Sequence, residues 1–520
     1  MDGEHAERDQ LSDAPWWRSA VVYQIYPRSF LDTDGNGVGD LPGIERRLDY
    51  LRWLGVDALW LSPIYPSPMA DFGYDVADYC DIDQLFGSLD DFDALLEKAH
   101  ERGLRVLLDW VPNHTSDQHR WFQASRSARE DPQRDWYIWR DEPNNWVQAF
   151  ADESAWTYDE VTGQHYLHLF LPEQPDLNWN NPDVERAMHE VLRFWLDRGV
   201  DGFRADVVHL IGKNPELEDD PSEVAGTSRV SRHDEPVTHG LLRRLRGVLE
   251  SYEGDRMMVG EVNLEEHEQI VDYYGAGDEL HLAFNFVPLW TDWKASGWRS
   301  VIAEMERVYQ EAGAWPTWVL SNHDVPRHRT RYGSLRRARA AALLVLTLRG
   351  TPFLYAGEEW GLEDAEVPPE RVVDPGGRDG CRAPLPWDAT PDHGWASADP
   401  WLPWPPEAAT RNAASLREDG DSILHLYRRL LTARKKSPAL SGGTFTPLDT
   451  AAEDVLGYRR RHDTDERVVL VNFSDRPISQ KLEGGWQVEV SSGGADGRHG
   501  EPYDGALQPE EAVLLRPDRG

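Results

Sequence analysis

The chain is poor in cysteine and lacks long apolar runs. Only Cys80 and Cys381 occur among its 520 residues, so a disulfide framework is not expected. No apolar run approaches the length of a membrane span, and residues 1–13 are polar and acidic, without the apolar core of a signal peptide. We therefore expect a cytoplasmic protein without a membrane partner.

Positive charge is scarce as well. Asp and Glu number 92 against 54 Lys and Arg, which gives a formal net charge of −38. A surface of this sign repels nucleic acid and anionic membranes, so neither is expected as a partner. Such a surface is typical of adaptation to high salt or of a biased genome, and the sequence leaves both open.

Apolar runs typical of buried strands alternate with helical patterns along the chain. The predicted strands are residues 20–27, 58–63, 105–111, 200–209, 257–262, 281–286, 317–324 and 351–357. The predicted helices include residues 43–55, 90–102, 182–198 and 422–434. This alternation predicts an α/β fold, a closed (β/α)8 TIM barrel. An open doubly wound sheet is less favoured, because no glycine fingerprint follows the first strand.

Two long stretches interrupt the alternation. Residues 113–181, rich in Trp and charge, predict a small inserted domain after the third strand. Residues 358–421, rich in Pro, Gly and Asp, predict a long loop over the barrel mouth. The catalytic barrel would then comprise residues 14–112 and 182–437, and short apolar runs in 438–520 predict a C-terminal β-sandwich domain.

Charged side chains gather at the carboxyl ends of the predicted strands, where barrel enzymes place their active sites. They are Asp109 and His114 after the third strand, Arg204 and Asp206 in the fourth, Glu261 in the fifth, and His323 and Asp324 in the seventh. A single group of this kind could be a buried network. Four groups at corresponding positions indicate a functional site, because each unpaired buried carboxylate would be costly.

Two of these carboxylates suit the cleavage of a glycosidic bond. Arg204 and Asp206 alternate in an apolar strand, so that both point to one side and Arg204 would keep Asp206 ionised. Glu261 lies on the next strand, and neighbouring strands are roughly 5 Å apart. That spacing is close to the carboxylate separation of a retaining glycosidase, in which one group attacks the anomeric carbon and the other protonates the leaving oxygen.

Four sequence blocks resemble the α-amylase superfamily, glycoside hydrolase family 13, and the resemblance extends over nearly the whole chain. The blocks are Asp-Trp-Val-Pro-Asn-His at 109–114, Gly-Phe-Arg-Ala-Asp at 202–206, Val-Gly-Glu at 259–261 and Ser-Asn-His-Asp at 321–324. The resemblance implies that Asp206 is the nucleophile and Glu261 the acid/base. It implies that Asp324 is a third carboxylate, which binds sugar hydroxyls and favours the distorted transition state.

The same resemblance implies a set of substrate contacts. His114, Arg204 and His323 would surround the subsite before the cleaved bond. Asp71 and Tyr74 would lie in that subsite, with Tyr74 as a stacking platform. Arg382 would be the arginine that pairs with a terminal glucose hydroxyl.

One further block narrows the resemblance to a branch of the family. Gln-Pro-Asp-Leu-Asn-Trp at 174–179 resembles the oligo-1,6-glucosidase and α-glucosidase branch, which implies an exo-acting enzyme on short α-glucosides. Val207, after the nucleophile, resembles the α-1,6-cleaving members, whereas α-1,4 enzymes tend to carry Ala or Thr there. Leu-Pro-Trp at 385–387 departs from the usual Met-Gln-Trp, so the preference for the acceptor stays open.

A calcium site is predicted near the N-terminus. Its candidate ligands alternate along the chain: Asp32, Asp34, Asn36, the backbone carbonyl of Val38, and Asp40. With Gly37 for the turn they mirror the first nine residues of a calcium loop, but position twelve is Gly43 and offers no glutamate as in an EF-hand. In this branch of the family the same loop holds a structural Ca²⁺ away from the chemistry.

We therefore expect a retaining, exo-acting α-glucosidase that hydrolyses disaccharides and short oligosaccharides through a covalent glucosyl-enzyme, as a monomer or homodimer. The alternative is a transglycosylase or isomerase on the same scaffold, although residues 287–290 lack the Arg/Asp-rich loop of the isomerase branch. A non-catalytic partner subunit is disfavoured, because all three carboxylates are present.

Overall fold

The computed structural model describes residues 14–151 and 153–518. The segment 1–13, which we expect to carry no signal peptide, lies outside the described residues. The strands are, in chain order, β1 (Val22–Ile25), β2 (Ala58–Leu61), β3 (Arg105–Trp110), β4 (Trp139–Arg140), β5 (Trp156–Asp159), β6 (Gln164–Leu167), β7 (Gly202–Ala205), β8 (Met257–Gly260), β9 (Leu282–Ala283), β10 (Thr317–Val319), β11 (Thr351–Tyr355), β12 (Thr444–Pro447), β13 (Val455–His462), β14 (Asp465–Asn472), β15 (Ile478–Ser479), β16 (Trp486–Ser491), β17 (Ala506–Leu507) and β18 (Ala512–Pro517).

The helices surround and connect these strands. They are α1 (Trp16–Ser19), α2 (Leu41–Arg46), α3 (Leu48–Leu54), α4 (Leu89–Glu101), α5 (Arg120–Ser125), α6 (Pro182–Asp197), α7 (Val237–Glu250), α8 (His267–Asp272), α9 (Val287–Trp290), α10 (Ala295–Glu311), α11 (His328–Tyr332), α12 (Leu335–Thr347), α13 (Ala413–Glu418), α14 (Ile423–Lys436) and α15 (Pro438–Ser441). The prediction of one helix over 43–55 was wrong, because the backbone breaks at Arg47, whose φ of −106° and ψ of 4° are not helical.

Eight parallel strands form the centre of the molecule. Their order is β10-β11-β1-β2-β3-β7-β8-β9, and helices follow them around the outside. This arrangement confirms the predicted TIM barrel. Several observed strands are shorter than predicted at their carboxyl ends: the fourth ends at Ala205 instead of residue 209, and the sixth at Ala283 instead of residue 286. The residues beyond leave the sheet and turn toward the barrel mouth.

A threonine side chain joins the two terminal strands of this series, β9 and β10. The hydroxyl of Thr317 donates to the carbonyl oxygen of Ala283 at 2.9 Å and accepts from the amide of Asn285 at 3.0 Å. Thr317 is fully buried. Both backbone groups would otherwise be buried without a partner, so this hydroxyl takes the place of a ladder bond.

Helix α6 shows how local sequence builds the outer ring and leads into the site. Its Asn181 cap accepts a hydrogen bond from the amide of Asp183, and Pro182 occupies the first turn. Apolar side chains recur every three or four residues and are buried against the barrel; they include Val184, Met188, Val191, Leu192 and Trp195. Gly199, with φ of 103°, ends the helix and directs the chain into β7.

Smaller antiparallel sheets lie outside the barrel. Strands β4, β6 and β5 form a three-stranded sheet between β3 and β7, within the predicted insertion. After the barrel, β12-β13-β14-β18-β16 form a five-stranded sheet and β15-β17 a two-stranded one. Antiparallel C-terminal sheets agree with the predicted C-terminal β-sandwich.

The sequence patterns did not predict a third long segment outside the barrel, residues 212–236 between β7 and α7. We call this segment the excursion. This segment packs on the insertion: the indole nitrogen of Trp146 donates to the carbonyl of Glu218 at 2.9 Å, and Arg140 donates to the carbonyl of Leu217 at 2.9 Å. It therefore forms part of the wall above the barrel mouth. Within the described residues no helix is both long enough and apolar enough to cross a membrane.

The Thr317 hydroxyl generates a stability prediction. Replacement of Thr317 by Val keeps the branched shape but leaves the Ala283 carbonyl and the Asn285 amide without their partner, which should cost about 1–3 kcal/mol. We expect a lower midpoint in thermal and urea unfolding. Thr317→Ser, which retains the hydroxyl, is the control and should lose less stability than the Val variant. A Val variant at least as stable as the Ser variant would contradict this role.

Candidate active site

The backbone turns sharply just after the fourth barrel strand. The amide of Asp206 donates to the carbonyl of Trp110 at 2.8 Å, which extends the parallel ladder by one residue. Val207 then adopts a left-handed conformation with φ of 33° and ψ of 42°, which is strained for a β-branched residue. This turn ends the strand and leaves Asp206 at the mouth of the barrel.

A single guanidinium connects three carboxylates at this mouth. One terminal nitrogen of Arg204 lies 2.7 Å from Asp109 and 2.8 Å from Asp206, and the other contacts the carboxylate of Glu261. These contacts confirm the predicted pairing of Arg204 with Asp206. The side chain of Arg204 is 2% exposed, so the cluster is shielded from solvent, and the ring of Trp60 lies 5.2 Å from the guanidinium carbon.

The cluster carries more negative than positive charge. Burial raises the pKa of Asp206, Arg204 opposes this rise, and repulsion from Glu261 and Asp109 adds to it, so that the pKa lies well above the usual range. Pairing with Arg204 thus does not lower the pKa of Asp206 as the sequence led us to expect. Burial likewise raises the pKa of Asp109, to about 6. Asp206 and Asp109 therefore hold a proton more tightly than isolated carboxylates do.

His323 lies between the side chains of Tyr26 and Tyr74. Both rings stack on the imidazole, at centroid distances of 5.6 and 5.3 Å. The amide of Gln24 lies 2.8 Å from Nδ1, and the hydroxyl of Tyr74 lies 2.7 Å from Nε2. Burial lowers the pKa of His323 to about 3, so the imidazole is neutral at physiological pH.

Asp324 has the opposite electrostatic environment to Asp206. Arg378 and Arg382 each donate to its carboxylate, at 3.0 and 3.1 Å. Burial opposes the charge of Asp324, but the two arginines outweigh it and lower its pKa below the usual range. Asp324 is therefore ionised, with one edge open to the cavity.

The arginine that meets the cavity is Arg378, which sequence reasoning did not single out. It donates to Asp71 at 2.7 Å as well as to Asp324, and so ties the loop after β2 to the loop after β11. Arg382, 1% exposed, lies behind it and donates to the carbonyl of His323 and to Asp374. Both arginines stand in the same loop block, from which the family resemblance pointed to Arg382 alone.

These side chains surround a cavity of about 230 Å³. The lining includes seven predicted site residues: Asp71, Tyr74, His114, Asp206, Glu261, His323 and Asp324. Arg204 and Arg382 support this lining from behind. The other lining residues are Phe150, Phe170, Val207, Val230, Asn263 and Arg378. Phe150 and Phe170 come from the insertion, whose many aromatics were the only signal in the sequence that could have pointed to them.

The N-terminal loop brings carboxylates together away from this cavity. One oxygen each of Asp32, Asp34 and Asp40 lies within 4.8 Å of the others. Asp40 also caps helix α2, by accepting from the amide of Gly43 at 2.7 Å, and Asn36 accepts from the amide of Val38 at 2.8 Å. Burial, together with the charge of Asp34, raises the pKa of Asp40. Hard anionic oxygens at this spacing fit a calcium ion, whose charge would relieve that repulsion.

Comparison with known proteins places the chain among carbohydrate enzymes. Residues 24–443 match the family model of the α-amylase catalytic domain. A probable α-glucosidase of Rhizobium meliloti (strain 1021) is 42% identical over 509 residues, which span 90% of this chain and 91% of that protein. An oligo-1,6-glucosidase of Parageobacillus thermoglucosidasius is 38% identical over 517 residues, which span 89% of this chain and 91% of that protein.

Solved structures agree over nearly the whole chain. The α-glucosyl transfer enzyme XgtA superposes with a TM-score of 0.89 at 40% identity, covering 97% of this chain and 100% of that chain. The trehalulose synthase MutB of Pseudomonas mesoacidophila MX-45 superposes with a TM-score of 0.89 at 34% identity, covering 97% of this chain and 99% of that chain.

The charges around Arg204 generate a prediction on pH dependence. Asp109→Asn removes one negative charge near Asp206, which stabilises the deprotonated form of Asp206 and lowers its pKa. The acidic limb of the kcat/KM profile should therefore move to lower pH, since this limb reports loss of the proton that a nucleophilic carboxylate must give up. The profile of the unaltered enzyme at the same ionic strength is the reference. A limb that stays in place or moves to higher pH would refute the repulsion between Asp109 and Asp206.

Proposed function

The chain belongs to the α-amylase family of glycoside hydrolases, and from this premise we propose that it is a retaining, exo-acting α-glucosidase for disaccharides and short oligosaccharides. The observation that carries the proposal is the guanidinium of Arg204, whose two terminal nitrogens contact Asp206 and Glu261. Two carboxylates held by one guanidinium are close together. A short separation, of about 5–5.5 Å, is characteristic of retaining enzymes.

In the first step, an oxygen of Asp206 attacks the anomeric carbon of the glucosyl unit. Glu261 gives its proton to the glycosidic oxygen, so that the bond to the leaving sugar breaks while an ester to Asp206 forms. In the second step, Glu261 takes a proton from water, and the water oxygen displaces Asp206 from the anomeric carbon. Arg204 keeps Asp206 in place throughout and opposes the rise in its pKa that burial causes.

The other cavity residues suit the binding of sugar hydroxyls. The ionised carboxylate of Asp324 accepts hydrogen bonds only, so it selects hydroxyl donors. His114 and the neutral His323 line the same cavity, and Tyr74 presents its ring. Contacts to hydroxyls that strengthen as the ring distorts would favour the oxocarbenium-like transition state.

Two features support exo action. The ion pair between Arg378 and Asp71 connects the loop after β11 with the loop after β2, which favours a pocket over an open cleft. The cavity, at about 230 Å³, is also smaller than the roughly 300–1,000 Å³ of typical small-molecule sites. A pocket of this kind receives the end of a sugar chain.

Glucosyl transfer is the second candidate, favoured by the similarity to XgtA, which is named for α-glucosyl transfer. Hydrolysis and transfer share the glucosyl-enzyme and differ in whether water or a sugar attacks it. Isomerisation is less favoured, because the segment after β9, helix α9 (Val287–Trp290), carries no charged residue. A cytoplasmic location and a monomeric or homodimeric state remain predictions.

Loss of the nucleophile tests the assignment directly. Asp206→Asn should lower kcat by at least about a thousandfold, because no ester intermediate can form, while the protein stays folded by circular dichroism. The exposed Asp197 on helix α6 provides a matched control, and Asp197→Asn should retain activity. Full activity of a purified Asp206→Asn enzyme would exclude Asp206 as the nucleophile.

The substrate is identified by product analysis on maltose, isomaltose, sucrose and trehalose, each at low and high concentration. Glucose release whose pattern does not change with concentration would establish hydrolysis and name the linkage. New di- or trisaccharides at high concentration would make transfer the main activity. No product from any of the four would refute the α-glucosidase assignment for this set.

The acidic loop predicts a structural response to calcium. We propose that Asp32, Asp34, Asn36, Asp40 and the carbonyl of Val38 hold the ion. Ca²⁺ should raise the thermal midpoint and a chelator should lower it, since an ion bound only to the folded state stabilises that state. Asp34→Ala should abolish the shift because it removes one of the proposed ligands. The helix should stay intact, because its cap is Asp40 rather than Asp34. A midpoint insensitive to Ca²⁺ in the unaltered protein would refute the site.

A further inference from the structure

The buried side chain of His209 connects three parts of the active site without touching the cavity. It lies in the short turn Val208–Leu210, directly after the nucleophile segment, and is fully buried. Its Nε2 lies 2.6 Å from the carbonyl oxygen of Val230. Its Nδ1 lies 3.3 Å from the carbonyl oxygen of Glu261. The imidazole thus stands between the acid/base strand and the excursion 212–236.

The shorter of these two contacts, between Nε2 of His209 and the carbonyl oxygen of Val230, is the stronger hydrogen bond. Burial lowers the pKa of His209, so the ring is neutral and carries one proton. That proton belongs on Nε2, where the carbonyl of Val230 is close enough for a strong bond. The carbonyl of Glu261 already accepts from the amide of Val208 at 3.1 Å, so it depends less on the imidazole.

Val230 belongs to the part of the cavity lining that follows strands β7 and β8, and since Glu261 belongs to the same part, the leaving sugar would depart on this side. Val230 lines the cavity together with Val207, Asn263 and Glu261, and Glu261 is the group that protonates the leaving oxygen. The apolar side chain of Val230 packs against the cluster that contains Val207. A sugar that enters to accept the glucosyl group must occupy the same side, because it attacks along the path by which the leaving sugar departs.

We propose that His209 is a positioning residue that holds Val230 against this side of the cavity and thereby sets the ratio of sugar to water that captures the glucosyl-enzyme. This inference rests on the proposed function. The acceptor sugar needs the wall at Val230 for binding, whereas water does not. Loss of the hydrogen bond should therefore reduce transfer more than hydrolysis.

Two amide variants separate the two contacts of His209. The amide nitrogen of Gln is as many bonds from Cβ as Nε2 of His, so His209→Gln retains a donor to the carbonyl of Val230. The amide nitrogen of Asn matches Nδ1 instead, so His209→Asn retains only the contact with Glu261. Each variant loses one polar contact and the aromatic ring, so both should lose stability, and a merely structural role would affect both alike.

The test measures free glucose and transfer products from one α-glucoside donor at a fixed high concentration. We expect His209→Asn to lower the transfer-to-hydrolysis ratio at least threefold, and His209→Gln to keep it within a factor of two of the unaltered enzyme. Equal ratios in both variants, whether changed or unchanged, would overturn the proposal.

A second measurement does not need turnover. Hydrogen–deuterium exchange of peptides covering 221–236 should increase in His209→Asn and stay near the unaltered rate in His209→Gln. If the unaltered enzyme cleaves no α-glucoside, the proposed function fails while this exchange pattern still tests the hydrogen bond itself. Equal exchange in the two variants would show that His209 does not hold Val230.

Discussion

The guanidinium of Arg204, shared by Asp109, Asp206 and Glu261, is the interaction on which the rest of the site depends. A buried charge cluster is stable only when every partner is in place, because removal of one leaves uncompensated charge in a medium that solvates it poorly. The barrel meets this condition through strand register. Asp109 on β3 is paired with Arg204 on β7. On its other side Arg204 is paired with Val259 on β8, two residues before Glu261.

The cavity has two electrostatic halves. Around Arg204 three carboxylates share one cation, and burial raises the pKa of Asp206 and of Asp109. Around Asp324, burial is outweighed by Arg378 and Arg382, which both contact its carboxylate and lower its pKa, so this carboxylate is ionised. Aspartates at the ends of β7 and β10 thus differ in proton affinity because their local charges differ.

The long loops between the barrel strands contribute much of the cavity lining. The two arginines beside Asp324 come from the long segment after β11, Phe150 and Phe170 come from the insertion after β3, and Val230 comes from the excursion after β7. These segments pack on one another as well as on the barrel. The barrel therefore supplies the carboxylates that we propose to react, and the loops supply much of the wall of the pocket around them.

The sequence by itself determined the eight-stranded barrel and the candidate reacting groups. Local patterns suffice there, because buried parallel strands are continuous apolar runs and a charged residue at the end of such a run, like Asp206 or Glu261, is conspicuous. Strand ends were overestimated, since the turn at Val207 depends on a backbone conformation that residue type disfavours. The excursion 212–236 was missed, because its polar composition resembles that of any connecting loop.

Only the tertiary structure decided which groups share a charge and which line the cavity. Arg378 and Arg382 are four residues apart in one loop, and nothing local distinguishes the one that meets the cavity from the one behind it. His209 is likewise an ordinary buried residue in the sequence, and its hydrogen bond to Val230 spans a loop. Such roles arise from distances between segments far apart in the chain, and those distances are fixed by packing rather than by the residues' own preferences.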